Sequence, residues 1–426
     1  MTALPTLTQF RLEFPANGLV HLVFDCPGRT MNVFSDAAIE ELGTFATWLA
    51  GADVTGVLIR SGKANAFCAG ADLNELGVAY DMIMAAPRRA RFDLAFDHFF
   101  RLGHAMRRLE AAGKPIAAAI AGIALGGGCE LAMAAHHRVM VDDPKVAMGL
   151  PESLVGLLPG AGGTQRLPRL IGIEAALPIL LDGARLDGDR ARDAGLVDRL
   201  CAAGEEIGLG EEWLLANPGA VQPWDRDDWR PAASASVAAT IAPVRARVLA
   251  DTLGHYPAPL AILDCIEFGA PQSLDGAIRT EMSIFANLIQ REEARNMIQT
   301  LFLAKADYER LKRADALPDF LAEVEAAARA ALEAVGDDLA LGEAGFRQPG
   351  ATPVRDHASQ GYWIDTPEGA QARAVLDRIC APLEAIAAGL SPNERRLADY
   401  AVFAAIGYPP YLGGPFALAT RQVYRS

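Results

Sequence analysis

An apolar, alanine-rich run beginning at Ile116 passes into three consecutive glycines, Gly126, Gly127 and Gly128, and a helical pattern (CELAMAA) starts at once. No other feature restricts the fold of this chain so strongly. The run has the length and composition of a buried strand. The glycines clear side chains from its end, so that a ligand or another backbone segment can come into contact there. The following helix presents its first N–H groups unpaired, with the positive end of its dipole behind them. That junction suits stabilisation of negative charge on an oxygen, and it suits close packing of a strand-to-helix turn equally well. The flanking segments repeat the alternation. Residues 19–24 (LVHLVF), 56–59 (GVLI) and 139–141 read as strands, and 142–144 as a turn. Residues 36–49 and 91–112 carry apolar residues at helical spacing. The pattern predicts a layered α/β core.

At 426 residues the chain has room for two or three domains of the usual ~100–200 residues. The division expected is an α/β core over 1–200, a helical extension and linker helix over 201–314, and a helical C-terminal domain over 315–426. Within these, 222–233 (QPWDRDDWRPAA) reads as a loop, and 274–313 as a long segment rich in helix formers. The alanine-rich stretch 320–335 reads as a surface helix and 342–353 as a loop. Helices are expected over 367–390 and 393–406, before a tight Gly/Pro segment at 407–416.

A net charge of −14 and a pI near 5.0 argue against nucleic acid or an anionic membrane as partner. The six cysteines form no CxxC or Cys/His cluster, which predicts reduced, buried thiols and no metal site. The N-terminal MTALPTLTQF does not have the pattern of a secretory signal, and no run of ~20 apolar residues occurs. A cytoplasmic location is the expectation.

Two carboxylates stand beside glycine clusters. Glu130 lies in the first turn of the helix after the triplet, where a negative charge is favourable to the dipole whether or not it catalyses anything. Glu152 follows in a loop-like Gly-Leu-Pro-Glu ahead of a second glycine cluster. If the two converged on one water, one could hold or deprotonate it while the other exchanged a proton with carbon. The segment 64–76 (ANAFCAGADLNEL) has the same character: small residues Ala69, Gly70 and Ala71, then Asp72 as a helix cap.

Taken together, FCAGADL, ALGGGCELAM, GLPE and VGLLPGAGGTQRLPRLIG resemble the crotonase (enoyl-CoA hydratase/isomerase) superfamily over roughly residues 10–200. The resemblance implies a crotonase-like spiral β/α core followed by a mostly helical region, and an acyl-CoA substrate. It assigns an oxyanion hole to the N–H groups of Ala71 and Gly127, with Asp72, Leu73 and Asn74 beside them. It assigns catalysis to Glu130 and Glu152. No cofactor is implied, coenzyme A being part of the substrate. Retention of both glutamates favours an enoyl-CoA hydratase over an isomerase or other enolate chemistry, and over a non-catalytic acyl-CoA-binding or assembly subunit. A homo-oligomer stays open.

Further segments, HYPAPLAILDCIEFGAPQSLDGAIRTE and NMIQTLF, are similar to the hydratase half of multifunctional fatty-acid oxidation enzymes. ARAVLDRICAPLEAIAAGL and ADYAVFAAIGYPPYLGGPF resemble one copy of the helical domain of 3-hydroxyacyl-CoA dehydrogenase. Between them, residues 313–361 are too few for a dinucleotide-binding domain, and no GxGxxG fingerprint is present. His255 and His357 fall in no dehydrogenase-like motif. The reading is a hydratase without a redox domain that keeps a helical C-terminal remnant. That remnant's apolar faces should dock on residues 274–313 or on the hydratase core. Arg29 and Lys63 are candidates to meet cofactor phosphates. His136 and His137 read as structural, and 87–91 (PRRAR) as a solvated helix face.

Overall fold

The computed structural model describes residues 3–64, 66–346 and 366–423. It forms two compact units. The first comprises residues up to 154 with 158–241 and 261–287, and the second 155–157, 242–260 and the chain from 288 onward. The interval 201–314 is thus divided between them.

Ten strands lie in the first unit: β1 (Phe10–Glu13), β2 (Val20–Phe24), β3 (Val57–Ser61), β4 (Ala66–Cys68), β5 (Ile116–Ile120), β6 (Ile123–Leu125), β7 (His137–Val141), β8 (Met148–Gly149), β9 (Arg185–Leu186) and β10 (Arg199–Cys201). Six of them make one sheet in the order β1-β2-β3-β5-β7-β10, parallel except for β1 against β2. The other four make a smaller sheet, β4-β6-β8-β9, in which only β8 and β9 are antiparallel. Every residue of β2 and β5 is buried, as expected of parallel strands covered on both faces. The helix Glu206–Ala216 covers part of one face by packing Leu214 against Leu19, Leu58, Ala117 and Ala119. The helix Asp36–Leu49 starts where Ser35 accepts the Ala38 N–H, and spans the predicted range. The chain leaves the large sheet after β5, adds β6 to the small one, and enters the helix Gly127–Ala134. One short passage therefore ties both sheets to one helix N-terminus.

The second unit is helical. The helix Phe320–Val335 buries Leu321, Val324, Ala328 and Ala331 in its core, at spacings of one helix face. The opposite side, including Glu323, Ala326, Arg329 and Ala330, is exposed, as expected of a surface helix with one face in the core. Ala370–Ala387 and Pro392–Ile406 fall close to the predicted ranges, the latter opening with a capping box between Ser391 and Glu394. The Gly/Pro segment is partly helical, since a helix Pro415–Val423 starts inside it. The tail docks on its own chain. Asn296 Nδ2 donates to the Tyr411 carbonyl and Thr300 Oγ1 to the Gly413 carbonyl, both at 2.9 Å, and Arg396 pairs with Asp307.

Residues 274–313 do not form one helix. They divide into Leu274–Leu288, Glu292–Met297, a π-helical stretch Ile298–Ala304, and Lys305–Arg313. His357 and most of the expected 342–353 loop lie outside the described residues. Among the described residues no helix is long and apolar enough to cross a membrane.

Candidate active site

The three glycines of the turn have separate physical causes. Gly126 has φ +53°, a conformation costly to an L side chain, and a Cβ there would lie 2.6 Å from Glu152 Oε1. A Cβ at Gly128 would lie 2.2 Å from the Cys68 carbonyl oxygen, so this glycine lets the helix pack on β4. At Gly127 a Cβ would press on the Phe34 ring at 3.0 Å. Each member of the triplet thus answers to close packing, Gly126 against Glu152, Gly127 against Phe34 and Gly128 against β4.

The 64–76 segment comes to the same place. Gly70 has φ +102°, and a Cβ on it would lie 3.2 Å from the Leu125 carbonyl and 3.7 Å from the Gly127 nitrogen. Phe34 bridges to Ala71, its N–H donating to the Gly70 carbonyl and its carbonyl accepting the Asp72 N–H. That pairing leaves the Ala71 N–H outside it. The Gly127 N–H opens a helix, where no preceding turn offers an acceptor. Two backbone donors on abutting turns are thus available to an oxygen. Asp72 is committed elsewhere: Oδ1 caps the helix Leu73–Ala85 at the N–H groups of Asn74 and Glu75, and Oδ2 pairs with Arg29 at 2.6 Å. Leu73 is partly buried at the start of that helix, and Asn74 is exposed.

Glu130 and Glu152 are brought together closely enough to repel each other. Glu130 is buried, and its Oε1 accepts the N–H groups of Ala161 and Gly163, each at 2.7 Å. Its Oε2 takes no bond from the described residues. Glu152 sits at the start of a short 3-10 turn, Glu152–Val155, with Oε2 shielded from solvent and without a hydrogen-bond partner among the described residues. Burial raises the pKa of both carboxyls. For Glu152 the neighbouring charges of Glu130 and Glu281 add to the rise, whereas for Glu130 the two amide donors and Arg166 oppose it.

A third carboxylate was not foreseen. Glu281, on the helix Leu274–Leu288, is fully buried. Its Oε1 accepts the Gly162 N–H at 2.6 Å, and its Oε2 accepts the N–H of Thr164 at 3.0 Å and the Thr164 hydroxyl. Four successive amides thus alternate between two acids, Ala161 and Gly163 to Glu130, Gly162 and Thr164 to Glu281. The glycines of PGAGGT permit this, Gly162 having φ +98° and a Cβ at Gly163 falling 2.8 Å from Glu130 Oε1. The helix Gly163–Ile171 begins here, so its positive end faces both carboxylates. Arg166, fully buried, ties the loop down by donating to the Ala161 carbonyl and to Glu110, each at 2.7 Å. Glu281 closes the HYPAPLAILDCIEFGAPQSLDGAIRTE segment, but nothing in that resemblance gives it a role.

The remaining candidates separate clearly. Lys63 is mostly buried and holds the Cys26 carbonyl and Asp25, each at 2.7 Å. Arg29 keeps a 45% exposed side chain while pairing with Asp72. His136 accepts the Ile116 N–H, and its pKa is lowered by burial to about 4. His137 stacks on Trp213. His255 contacts the Glu343 carbonyl and stacks on Tyr411 in the second unit. All six cysteines are free and buried.

Residues 16–218 match the sequence profile of a family described as enoyl-CoA hydratase/isomerase. Relatives include a fatty acid oxidation complex subunit alpha from Shewanella frigidimarina (strain NCIMB 400), 33% identical over 302 residues, covering 70% of this chain and 41% of the relative. Another subunit of that name, from Idiomarina loihiensis, is 32% identical over 320 residues, covering 74% and 44%. The chain spans about two fifths of the length of these curated relatives. Among solved structures, an enoyl-CoA hydratase from Bacillus halodurans superimposes with a TM-score of 0.50 at 17% identity, over 68% of this chain and 99% of that one. That likeness speaks for the fold alone.

Proposed function

Residues 16–218 match the enoyl-CoA hydratase/isomerase family, and on that premise we propose that this chain adds water across the 2,3 double bond of an acyl-CoA thioester. The observation that carries the reading is the shielded, unpaired Glu152 Oε2 beside a Glu130 that is anchored through one oxygen only. Carboxylates that serve structure alone have little reason to leave a buried oxygen empty.

In this reading the thioester carbonyl accepts hydrogen bonds from the Ala71 and Gly127 N–H groups. Water is held between Glu130 Oε2 and Glu152. Its oxygen bonds to the β-carbon while Glu130 takes a proton from it, and the double-bond electrons move to give an enolate. The negative charge grows on the oxygen that faces the two N–H donors, a stabilisation of roughly 3–4 kcal/mol per donor in comparable sites. Glu152, kept protonated by burial and by its acidic neighbours, gives its proton to the α-carbon. The proton left on Glu130 then returns to Glu152, so each turnover consumes one water and restores both groups. Arg29, half-exposed beside the Ala71 turn, is the cation best placed to meet a phosphate of coenzyme A; Lys63 is occupied.

The test follows the ultraviolet absorbance of but-2-enoyl-CoA, with the product identified by mass and chromatography. Loss of absorbance with formation of 3-hydroxybutanoyl-CoA is expected. A shifted double bond with no water added would assign the chain to isomerisation, and an unchanged substrate would sink the proposal.

A further inference from the structure

We propose that Glu281, outside the 16–218 region of the family match, is a positioning residue for this hydration, clamping the 161–164 loop so that its alternate amides hold Glu130 in its working orientation. The inference rests on the hydratase reading above and extends it to a residue the reaction does not touch.

The argument is geometric. Glu130 is oriented by two N–H groups that belong to a glycine-rich loop, a backbone with much freedom to lose. The intervening two N–H groups point to Glu281, which also takes the Thr164 hydroxyl. Gln165 Nε2 donates to Thr164 Oγ1 at 2.9 Å and to the Cys265 carbonyl at 2.8 Å, so the hydroxyl has its own proton free to donate to Glu281. Every amide from 161 to 164 is thus spoken for by one acid or the other. Remove Glu281 and two buried N–H groups lose their acceptor. The loop must then turn toward other acceptors, and Glu130 turns with it. A group that has to be held within fractions of an ångström of its target is sensitive to that movement.

The groups facing Glu281 are few. Glu130 comes from the helix Gly127–Ala134, Glu152 from its 3-10 turn, Arg166 and Arg169 from Gly163–Ile171, and the Cys265 thiol from Pro257–Gly269. Burial and Glu130 push the Glu281 carboxyl up to about 8, and once it ionises its charge raises the pKa of Glu152. Replacing Glu281 with a neutral side chain removes that charge. The proton on Glu152 is then lost at lower pH.

The experiment compares the wild type with Glu281→Gln, Thr164→Val and Thr164→Ser, using but-2-enoyl-CoA as substrate and butanoyl-CoA as unreactive analogue. Glu281→Gln should lower kcat roughly 10- to 100-fold, as a misplaced group does, with KM and butanoyl-CoA affinity unchanged. The basic limb of its kcat–pH profile should move to lower pH. Thr164→Val keeps every charge but removes the hydroxyl's bond to Glu281 and the one it accepts from Gln165; kcat should fall, and Thr164→Ser should restore it. This valine–serine pair carries the test if Glu281→Gln does not fold. Equal activity in the valine and serine variants, or a Glu281→Gln enzyme with wild-type kcat and pH profile, overturns the proposal while leaving the hydratase reading intact. A wild type that hydrates nothing overturns both.

Discussion

Asp399 and Glu152 are both acids shielded from water, one in each compact unit, and the contrast between them is instructive. Asp399 accepts the Phe416 N–H on one oxygen at 2.9 Å and the Ala417 N–H on the other at 3.2 Å. It caps the first turn of Pro415–Val423 from a neighbouring helix, and both of its oxygens are engaged. Glu152 leaves Oε2 with no partner among the described residues. Burial raises both carboxyls well above their ordinary values, so the direction of the shift does not tell them apart. The open oxygen does. Asp399 has both oxygens bonded within the protein, whereas Glu152 keeps one shielded oxygen without a partner among the described residues, and that difference is what the proposed reading uses.

The sharpest way to break this contrast is at the acids of the first unit. Glu152→Gln and Glu130→Gln should each lower hydration ~10²–10⁴-fold, the usual contribution of a general acid or base. Glu152→Gln should keep or raise the melting temperature, because it removes a carboxyl that burial penalises. Steady-state rates beside thermal melts test this, and a variant retaining most of its activity would reject the assignment.

The next effect concerns the second unit. Deleting the chain after residue 353 removes Val375, Leu376, Ile379 and Leu383 from its core along with the segment bonded to Asn296 and Thr300. Aggregation or a markedly lower melting temperature should result, with hydration lost only in step with folding. A truncated protein that stayed soluble at an unchanged melting temperature but lost activity would give the tail a direct part in the chemistry.

A milder change sharpens the same point. Asp399→Ala uncaps two helix N–H groups and should cost about 0.5–2 kcal/mol of stability without altering kcat for but-2-enoyl-CoA. A changed kcat at unchanged stability would erase the distinction between the two acids.

The smallest effect is in pH dependence. Burial and the adjacent Glu130 push the Glu281 carboxyl up to about 8. The folded chain therefore holds a proton that the unfolded chain releases near the ordinary carboxyl value. The stability from this group is fully present below that value and is lost as pH rises through about 8. The melting temperature of the wild type minus that of Glu281→Gln should accordingly fall between about pH 5 and 8.5. A difference that rose across this window would show the opposite sign.

The turn-helix at 126–134 could be read from the sequence because its determinants are local, glycines at a strand end and a helical pattern directly after them. Glu130 and Glu152 were singled out as a pair only through the family resemblance, since spacing does not show that two carboxylates converge. The helix Asp36–Leu49 was legible for a local reason as well, having its serine cap and its apolar spacing within one stretch. Glu281 could not be read that way. Its partners lie 117 and 119 residues away, and they are backbone N–H groups, which leave no trace in residue type. The breaks within 274–313 were hidden because no proline or glycine stands at Gln290 or in the π-helical stretch to mark them.

The alternating grip on residues 161–164 also has a meaning for biosynthesis. The family-matched region ends at residue 218, so a ribosome has delivered all of it before the helix bearing Glu281 exists. At about 5–20 residues per second the missing segment follows only after some seconds. During that interval residues 161–164 and Glu130 have been synthesised, while Glu281, the acceptor for the Gly162 and Thr164 N–H groups, has not. On the proposed reading, the loop that orients Glu130 is complete only once the helix bearing Glu281 has been made.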